Sequence, residues 1–225
     1  MERIMTLLQV SAKIDLRLNK GASADYDNLW SYVKQEAFNK AINEWVRRQY
    51  RGKNLTQEGD EESTARVDDL QILLKKESMT IRDKGIYVET NKLPSDYMYF
   101  KRLTPYVSKG DCKSVLIRSH LKEEANVDDL LPSYPSFEFE ETFHTLIGNR
   151  AHVYHNKEFT VDKVELTYYR KPVFYEFRPA KLATVVEFKD DICDMLVDEA
   201  SKIIASDIES LNAKALTESR VESNN

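Results

Sequence analysis

Two stretches of the chain repeat apolar residues every three or four positions, which is the spacing of an amphipathic helix. The first ends near Arg51, where Gly52 supplies a stop signal, and Asp25 or Asp27 can cap its start. The second follows an acidic start at Asp190 or Asp191. The apolar positions are Leu29, Trp30, Val33, Ala37, Phe38, Ala41, Ile42, Trp45 and Val46 in the first stretch, and Ile192, Met195, Leu196, Ala200, Ile203, Ile204 and Ile208 in the second. Residues 2–18 predict a further helix at the N-terminal end.

The middle of the chain alternates apolar and polar residues, which predicts strands. A hairpin is expected across "RDKG", where Ile86 and Val88 follow the turn. The most regular alternation lies in residues 137–172, which read as three antiparallel strands in a meander, with Gly148-Asn149 and Asn156-Lys157 as the turns. In its last strand, "KVELTYYRKP", Val164, Leu166 and Tyr168 face one way, and Lys163, Glu165, Thr167 and Tyr169 face the other. Pro172 cannot donate to a strand ladder and ends the pairing or marks an edge strand.

These elements predict a single α+β domain over residues 1–225, with N-terminal helices, a central antiparallel sheet and a C-terminal amphipathic helix packed on it. The predicted segments are a helical part at 1–52, a loop at 53–66, a sheet region at 67–178 with a long surface connection at 122–137, a C-terminal helix at 187–212 and a frayed tail at 213–225.

Composition narrows the functional classes. The 225 residues carry a formal net charge of -5, which disfavours a protein that grips nucleic acid through its backbone phosphates. No stretch approaches the roughly 20 apolar residues that a membrane-spanning helix needs. The N-terminal residues alternate charged and apolar side chains and lack the uninterrupted apolar segment of a secretion signal. The sequence therefore favours a protein that stays in the cell that makes it, without a membrane partner.

Motifs for catalysis or cofactors are weak. Cys112 and Cys193 are far apart and outside any metal-ligand spacing, so both are expected to be free buried thiols. The six glycines form neither a dinucleotide-binding nor a phosphate-binding loop. Acidic pairs such as Glu140/Glu141 lack an accompanying nucleophile and suit capping and solubility better than acid-base catalysis. We therefore expect a protein without enzymatic activity and without a cofactor.

Two other patterns leave minor alternatives. His152, His155 and Glu158 offer ligand types for a metal-dependent hydrolase, with His144 on the neighbouring strand, but residues three apart on a strand face opposite ways, so no metal site is predicted. Basic residues at the end of the long helix suggest a nucleic-acid accessory factor, although they also compensate the negative end of the helix dipole. These basic residues are Arg47, Arg48, Arg51 and Lys53.

The chain contains 12 tyrosines, several of them in the predicted strands. Tyrosine is favoured at protein interfaces because its ring is large and its hydroxyl stays polar. It is also favoured in strands of any function. The tyrosine content is equally compatible with an interaction surface and with ordinary strand propensity.

Several segments in order resemble structural proteins of tailed bacteriophages, particularly crAss-like ones. The resemblance rests on "FNKAINEWVRRQYRG", "LPSDYMYFKRL", "VYHNKEFTVDKVELTYYRKP" and "VEFKDDICDMLVDEASKII", and it covers about three quarters of the chain. It implies a non-enzymatic virion protein that forms a homo-oligomeric ring, of twelve copies, in the portal, connector or tail assembly through which DNA passes. The implied partners are other copies of the chain, the portal protein and neighbouring ring or tail proteins, with no sequence-specific nucleic acid.

On this resemblance the protein is expected in the virion, and in the bacterial host cytoplasm during assembly. The alternative within the same class is a minor head-completion or capsid protein. The strand "KVELTYYRKP" would close a scaffold meander and offer Tyr169, Arg170 and Lys171 as a candidate oligomer interface. Tyr169→Asp is then expected to weaken assembly more than folding of the monomer.

Overall fold

The structure is a computed structural model that describes residues 5–19, 29–51, 68–112 and 114–222, with side chains of the C-terminal helix described as far as Ile208. The predicted loop 53–66 and the predicted caps Asp25 and Asp27 lie outside these residues. The α+β class is confirmed. The chain divides into two compact units, the first formed by Met1–Ile72 and Pro172–Asn225 and the second by Leu73–Lys171.

The described residues of the first unit form three long helices, α1 (Leu7–Leu18), α2 (Ser31–Arg51) and a C-terminal helix, here α4 (Asp190–Glu222). Helix α1 starts with a capping box between Thr6 and Gln9, in which each side chain accepts a hydrogen bond from the other residue's backbone N–H. The prediction that Asp190 or Asp191 caps α4 is wrong, because both lie inside its first turn, where their charge suits the positive end of the helix dipole. Helix α4 runs ten residues beyond the predicted end at 212, because its last turns contain neither glycine nor proline.

The core of the first unit lies between these helices and the segment that follows residue 172. Helix α4 contacts both α1 and α2. Phe38 of α2 packs against Tyr175 and Phe177, with ring centroids 6.0 and 5.9 Å apart, and Trp45 packs edge-on against Phe188. The apolar periodicity of α2 is thus explained by burial, except at Trp30, which precedes the helix and is 74% exposed.

In the second unit, residues 73–112 and 114–171 form nine strands in two sheets. One sheet has the order β1-β9-β4-β5 and the other β2-β3-β8-β7-β6. Every described pair is antiparallel except β6 with β7. The strands are β1 (Leu74–Met79), β2 (Ile81–Asp83), β3 (Tyr87–Thr90), β4 (Tyr97–Ser108), β5 (Val115–Leu116), β6 (Arg118–Leu121), β7 (Glu141–Ile147), β8 (Arg150–Tyr154) and β9 (Thr160–Arg170).

The two sheets pack face to face over one apolar core, which includes Leu103 and Leu166 from one sheet and Val88 and Val153 from the other. At both edges the chain passes directly from one sheet to the other, between β1 and β2 at Thr80 and between β5 and β6 at Ile117. Strands that switch sheets in this way form the corners of a sandwich.

The predicted hairpins at Gly85 and at Gly148-Asn149 are confirmed, with positive φ at all three turn residues. The predicted three-strand meander is wrong at its last strand. Strand β9 does not pair with β8, and it lies between β1 and β4 in the other sheet. The alternation of residues specifies that β9 has one buried face, but it does not specify which strands lie beside it.

The predicted surface connection 122–137 is partly structured. It contains a 3₁₀ turn and the short helix α3 (Val127–Leu130). Val127 packs with Phe143 of β7 and Tyr154 of β8, on the face of the five-stranded sheet that points away from the common core. Both faces of the β7-β8 hairpin are therefore covered, which explains why four consecutive residues of β7, 142–145, are buried.

Candidate functional site

Tyr169, the first residue of the predicted oligomer interface, is only 4% exposed. It lies in the middle of the four-stranded sheet, paired with Leu74 of β1 and Tyr99 of β4, and the Nζ atom of Lys101 lies 5.9 Å from the centre of its ring. The prediction that the Tyr169 ring is available to a neighbouring copy is corrected, because the folded chain already buries it.

Lys171 connects the C-terminal end of β9 to the turn before β4. The backbone N–H of Lys171 donates to the carbonyl of Asp96 at 2.6 Å, and its Nζ donates to the carbonyl of Ser95 at 3.3 Å. The Arg170 guanidinium donates to the carbonyl of Lys171 at 3.2 Å. Lys171 is exposed and Arg170 is half-buried, and their role in an oligomer interface stays a prediction.

The other residues on this face of β9 form a charged network. The Glu165 carboxylate accepts hydrogen bonds from Lys163 at 2.7 Å and from the Tyr106 hydroxyl at 3.0 Å, and it pairs with Lys76 at 2.5 Å. Hydrogen bonds from Lys163 and Lys76 lower the pKa of Glu165 to about 2. Because both lysines and the Tyr106 hydroxyl already contact Glu165, the network is a weak candidate for binding an outside group.

The structure separates the histidine residues that suggested a metal site. His152 stacks on Tyr87 with ring centroids 4.8 Å apart, and the carboxylate of Glu158 is engaged by Lys109. His155 is buried, with its Nε2 atom 3.7 Å from Asp83. Within the described ranges of the chain, no group of three histidine, cysteine, aspartate or glutamate side chains is placed to hold a metal ion.

His144 lies in the core of the second unit. Its side chain is fully buried, with Nδ1 2.7 Å from the hydroxyl of Ser119. Burial, together with the nearby His120, lowers the pKa of His144 to about 3. His144 is therefore a neutral core residue at physiological pH.

The arginines at the end of α2 are not assembled into a phosphate-binding surface by the described residues. Arg48 pairs with Glu199 of α4 at 3.4 Å. Arg47 is exposed, whereas the side chain of Arg51 and all of Lys53 lie outside the part that the structure describes.

The prediction that both cysteines are buried holds for Cys193, which is fully buried, and is wrong for Cys112, which is exposed in the turn after β4.

The segment before β7 forms a feature that the sequence pattern concealed. Alternation in "FEFEETFHTLI" predicted a strand from Phe137, but β7 begins at Glu141. Residues 136–141, which we call the acidic turn, are closed by two backbone hydrogen bonds between Ser136 and Glu141, of 2.9 and 3.1 Å. Phe137 packs against the common core, and Phe139 is 78% exposed.

The acidic turn is held in one conformation. The backbone N–H of Phe139 donates to the hydroxyl of Ser136, and the carbonyl of Glu140 accepts from the N–H of Arg118 at 2.7 Å. Glu140 has a φ of 53°, a left-handed conformation that helps to close the turn before β7. Glu138 and Glu140 are exposed beside Phe139. The turn thus presents an aromatic ring flanked by carboxylates.

A second feature lies at the opposite end of the five-stranded sheet. A groove of about 440 Å³, which we call the basic groove, is bordered by Ile81, Arg82, Glu89, Thr90, Lys92 and Arg150. The Glu89 carboxylate is shared between Arg150 at 3.4 Å and Lys84 at 3.9 Å. The basic groove therefore has more positive than negative groups.

Helix α1 has two apolar faces. Leu7, Val10 and Ile14 are buried on one of them. On the other side, Leu8 and Leu16 are 57% and 69% exposed, and Ala12 lies between them, one turn from each. A surface helix normally carries polar side chains on its outward face. This second face is therefore a candidate contact surface.

No protein-family model matches the chain, and a comparison with curated proteins gives no match. In the residues that the structure describes, no helix combines the length and the apolar character that crossing a membrane requires.

Proposed function

We propose that this protein is a non-enzymatic virion component that forms a homo-oligomeric ring, of twelve copies, in the portal, connector or tail assembly of a tailed bacteriophage. The proposal starts from the resemblance of "VYHNKEFTVDKVELTYYRKP" and of "VEFKDDICDMLVDEASKII" to crAss-like phage structural proteins. The observation from the fold that supports it best is the exposed apolar face of α1, with Leu8 and Leu16.

An exposed apolar helix face suits a protein that works in an assembly. Burying Leu8 and Leu16 against another subunit would remove apolar surface from water, at about 25 cal/mol per Å². A closed ring needs heterologous contacts, in which one patch of each copy meets a different patch of the next copy. The exposed side chains of α1 offer one such patch.

The charge of the chain is also compatible with a DNA passage. A ring wall that grips phosphates would retard DNA, whereas a neutral or acidic wall does not attract it. The formal net charge is -5, and three basic side chains, Lys163, Lys76 and Lys109, are paired with glutamates within the chain.

The test is the native mass of the purified chain, by light scattering and native mass spectrometry over a range of concentrations, alone and after mixing with the portal protein encoded in the same genome. We expect a species of twelve times the 26.2 kDa chain mass, with a central opening in electron micrographs. The chain should also be present in purified phage particles. A chain that stays monomeric under all these conditions and is missing from the particles contradicts the proposal.

The contribution of α1 is tested with Leu16→Lys, which places a charge on its exposed face. The expected result is a smaller assembled fraction with unchanged unfolding, since Leu16 is 69% exposed. Leu121→Lys is the matched control, because Leu121 is also exposed but lies on β6. Equal effects of the two variants would show that the α1 face has no special part in assembly.

A further inference from the structure

The acidic turn and the basic groove have complementary properties. The turn carries three glutamates, Glu138, Glu140 and Glu141, around an exposed phenyl ring, with Arg118 of β6 as the opposing charge next to it. The groove carries Arg82, Lys92 and Arg150 around the single carboxylate of Glu89, and Lys84 lies 3.9 Å from the same carboxylate. Asp83, the next residue of β2, alternates to the other face, where it accepts a hydrogen bond from Gly85.

Two exposed cations of the groove are not used within the described chain. Arg82 lies directly across from Glu89 in the β2-β3 ladder, but Glu89 is already bonded to Arg150 and Lys84. Neither Arg82 nor Lys92 has an ion-pair partner among the described residues. An arginine has five N–H donors in a fixed fork that suits carboxylates. Arg82 and Lys92 are therefore placed to bind an acidic ligand in the groove.

The space also fits an aromatic side chain. A cavity of about 150 Å³ holds a benzene molecule, and the groove has a volume of about 440 Å³. The half-buried Ile81 and the aliphatic stems of Arg82 and Lys92 supply apolar surface in its wall. The groove is therefore large enough to take a phenyl ring.

The acidic turn cannot reach the basic groove of its own chain. The turn immediately precedes Glu141 at the start of β7, whereas Arg150 follows the hairpin turn at the other end. The 7 residues of β7 span about 20 Å, and three strand spacings of about 4.8 Å separate β7 from β2. The two features lie at opposite ends and opposite edges of one sheet, within one compact unit.

We infer that the acidic turn of one copy inserts Phe139 into the basic groove of a neighbouring copy, with Glu138 and Glu140 paired to Arg82 and Lys92. This inference rests on the proposed ring function and names one of its contacts. The contact is heterologous, because each copy uses its turn on one side and its groove on the other, and such contacts close into rings when the rotation permits.

The turn has the character of an interface anchor. Phe139 has the largest exposed fraction among the described large apolar side chains that are exposed. Interface energy concentrates in a few aromatic and arginine residues that fill pockets on the partner. Because hydrogen bonds already fix the turn, little conformational entropy is lost on binding.

The experiment uses two variants of the full chain, one without the anchor (Phe139→Ser) and one without the groove charge (Arg82→Glu with Lys92→Glu). We expect each alone to raise the concentration for half-assembly at least tenfold, measured by light scattering. A mixture of the two retains one intact turn and one intact groove, so it should form 1:1 dimers and no larger species. Raised salt should weaken these dimers.

Phe174→Ser and Lys40→Glu are the matched controls, since they change an exposed phenylalanine and an exposed lysine elsewhere and should leave assembly unchanged. Urea unfolding of every variant separates lost contact from lost fold. If the native chain assembles and the Phe139 and Arg82/Lys92 variants assemble equally well, the inferred contact is wrong while the ring proposal stands.

If the native chain does not assemble, the contact is measured directly. A cyclic peptide with residues 134–143 is titrated into the Phe139→Ser chain, followed by nuclear magnetic resonance. Binding that is weakened at least tenfold by the Arg82 and Lys92 changes supports the contact although the ring proposal has failed. Absence of binding, or binding equal to that of a peptide with serine in place of Phe139, overturns the inference. Binding of an unrelated acidic peptide with equal affinity would also overturn it, because the groove would then select charge alone.

Discussion

Replacement of Tyr169 by aspartate distinguishes an interface residue from a core residue. The sequence interpretation expects Tyr169→Asp to weaken assembly and to spare the monomer. The structure leads to the opposite expectation, because Tyr169 is 4% exposed and lies between β1 and β4. We expect the variant to lose most of its folding stability before any question of assembly arises.

The magnitude follows from the buried surface. A buried tyrosine removes about 150 to 250 Å² from water, which at about 25 cal/mol per Å² corresponds to about 4 to 6 kcal/mol as an upper value. The new carboxylate adds the cost of a charge in a desolvated site. Since proteins unfold with only about 5 to 15 kcal/mol, a loss of about 4 kcal/mol or more leaves a large unfolded fraction in mild denaturant.

Urea unfolding followed by circular dichroism gives the stability, and native mass at the same concentrations gives the assembly state. Tyr169→Phe is the matched control, because it keeps the ring and should cost no more than about 1.5 kcal/mol for one hydrogen bond. A Tyr169→Asp chain that keeps the native urea midpoint and fails only to assemble would refute the burial argument and restore Tyr169 to an interface.

Three further predictions concern the core and its titratable groups. Leu166→Ala should destabilise the chain by about 2 to 5 kcal/mol in urea unfolding, because Leu166 is fully buried between the two sheets, whereas Leu121→Ala on the surface should change stability by less than about 0.5 kcal/mol. The pKa of His144 is about 3 in the folded chain, against 6.5 for an unperturbed histidine, so its contribution to stability is present above pH 6.5 and is lost as the pH falls toward 3. The urea midpoint of His144→Phe should therefore fall less than that of the native chain between pH 7 and pH 4. Identical slopes for the two chains would contradict this. Burial raises the pKa of the Cys193 thiol to about 12, whereas Cys112 is exposed. A thiol reagent should therefore label one cysteine in the native chain and two in urea. Rapid labelling of both cysteines without denaturant would contradict the structure.

The fold and the site differ in how far the sequence predicted them. The sequence predicted the α+β class, the long helices and the hairpins at Gly85 and Gly148-Asn149. These features depend on helical spacing and turn residues, which are patterns of a few neighbouring positions. The acidic turn and the basic groove were not predicted, although their residues are all visible in the sequence. The alternation "FEFE" favours a strand, whereas the backbone hydrogen bonds between Ser136 and Glu141 close these residues into a turn that leaves Phe139 exposed.

By itself, the sequence determined where the chain forms helices and strands and that β9 has one buried face, with Leu166 and Tyr168 on it, because period and burial are linked locally. Only the tertiary structure decided that β9 lies between β1 and β4 and that its other face buries Tyr169 as well. Which strands pair depends on the free energy of the whole packed core, since the alternation within one strand is the same for every set of neighbours. The same reason applies to the basic groove, which the fold assembles from residues of β2, β3 and β8 that are as much as about 70 positions apart.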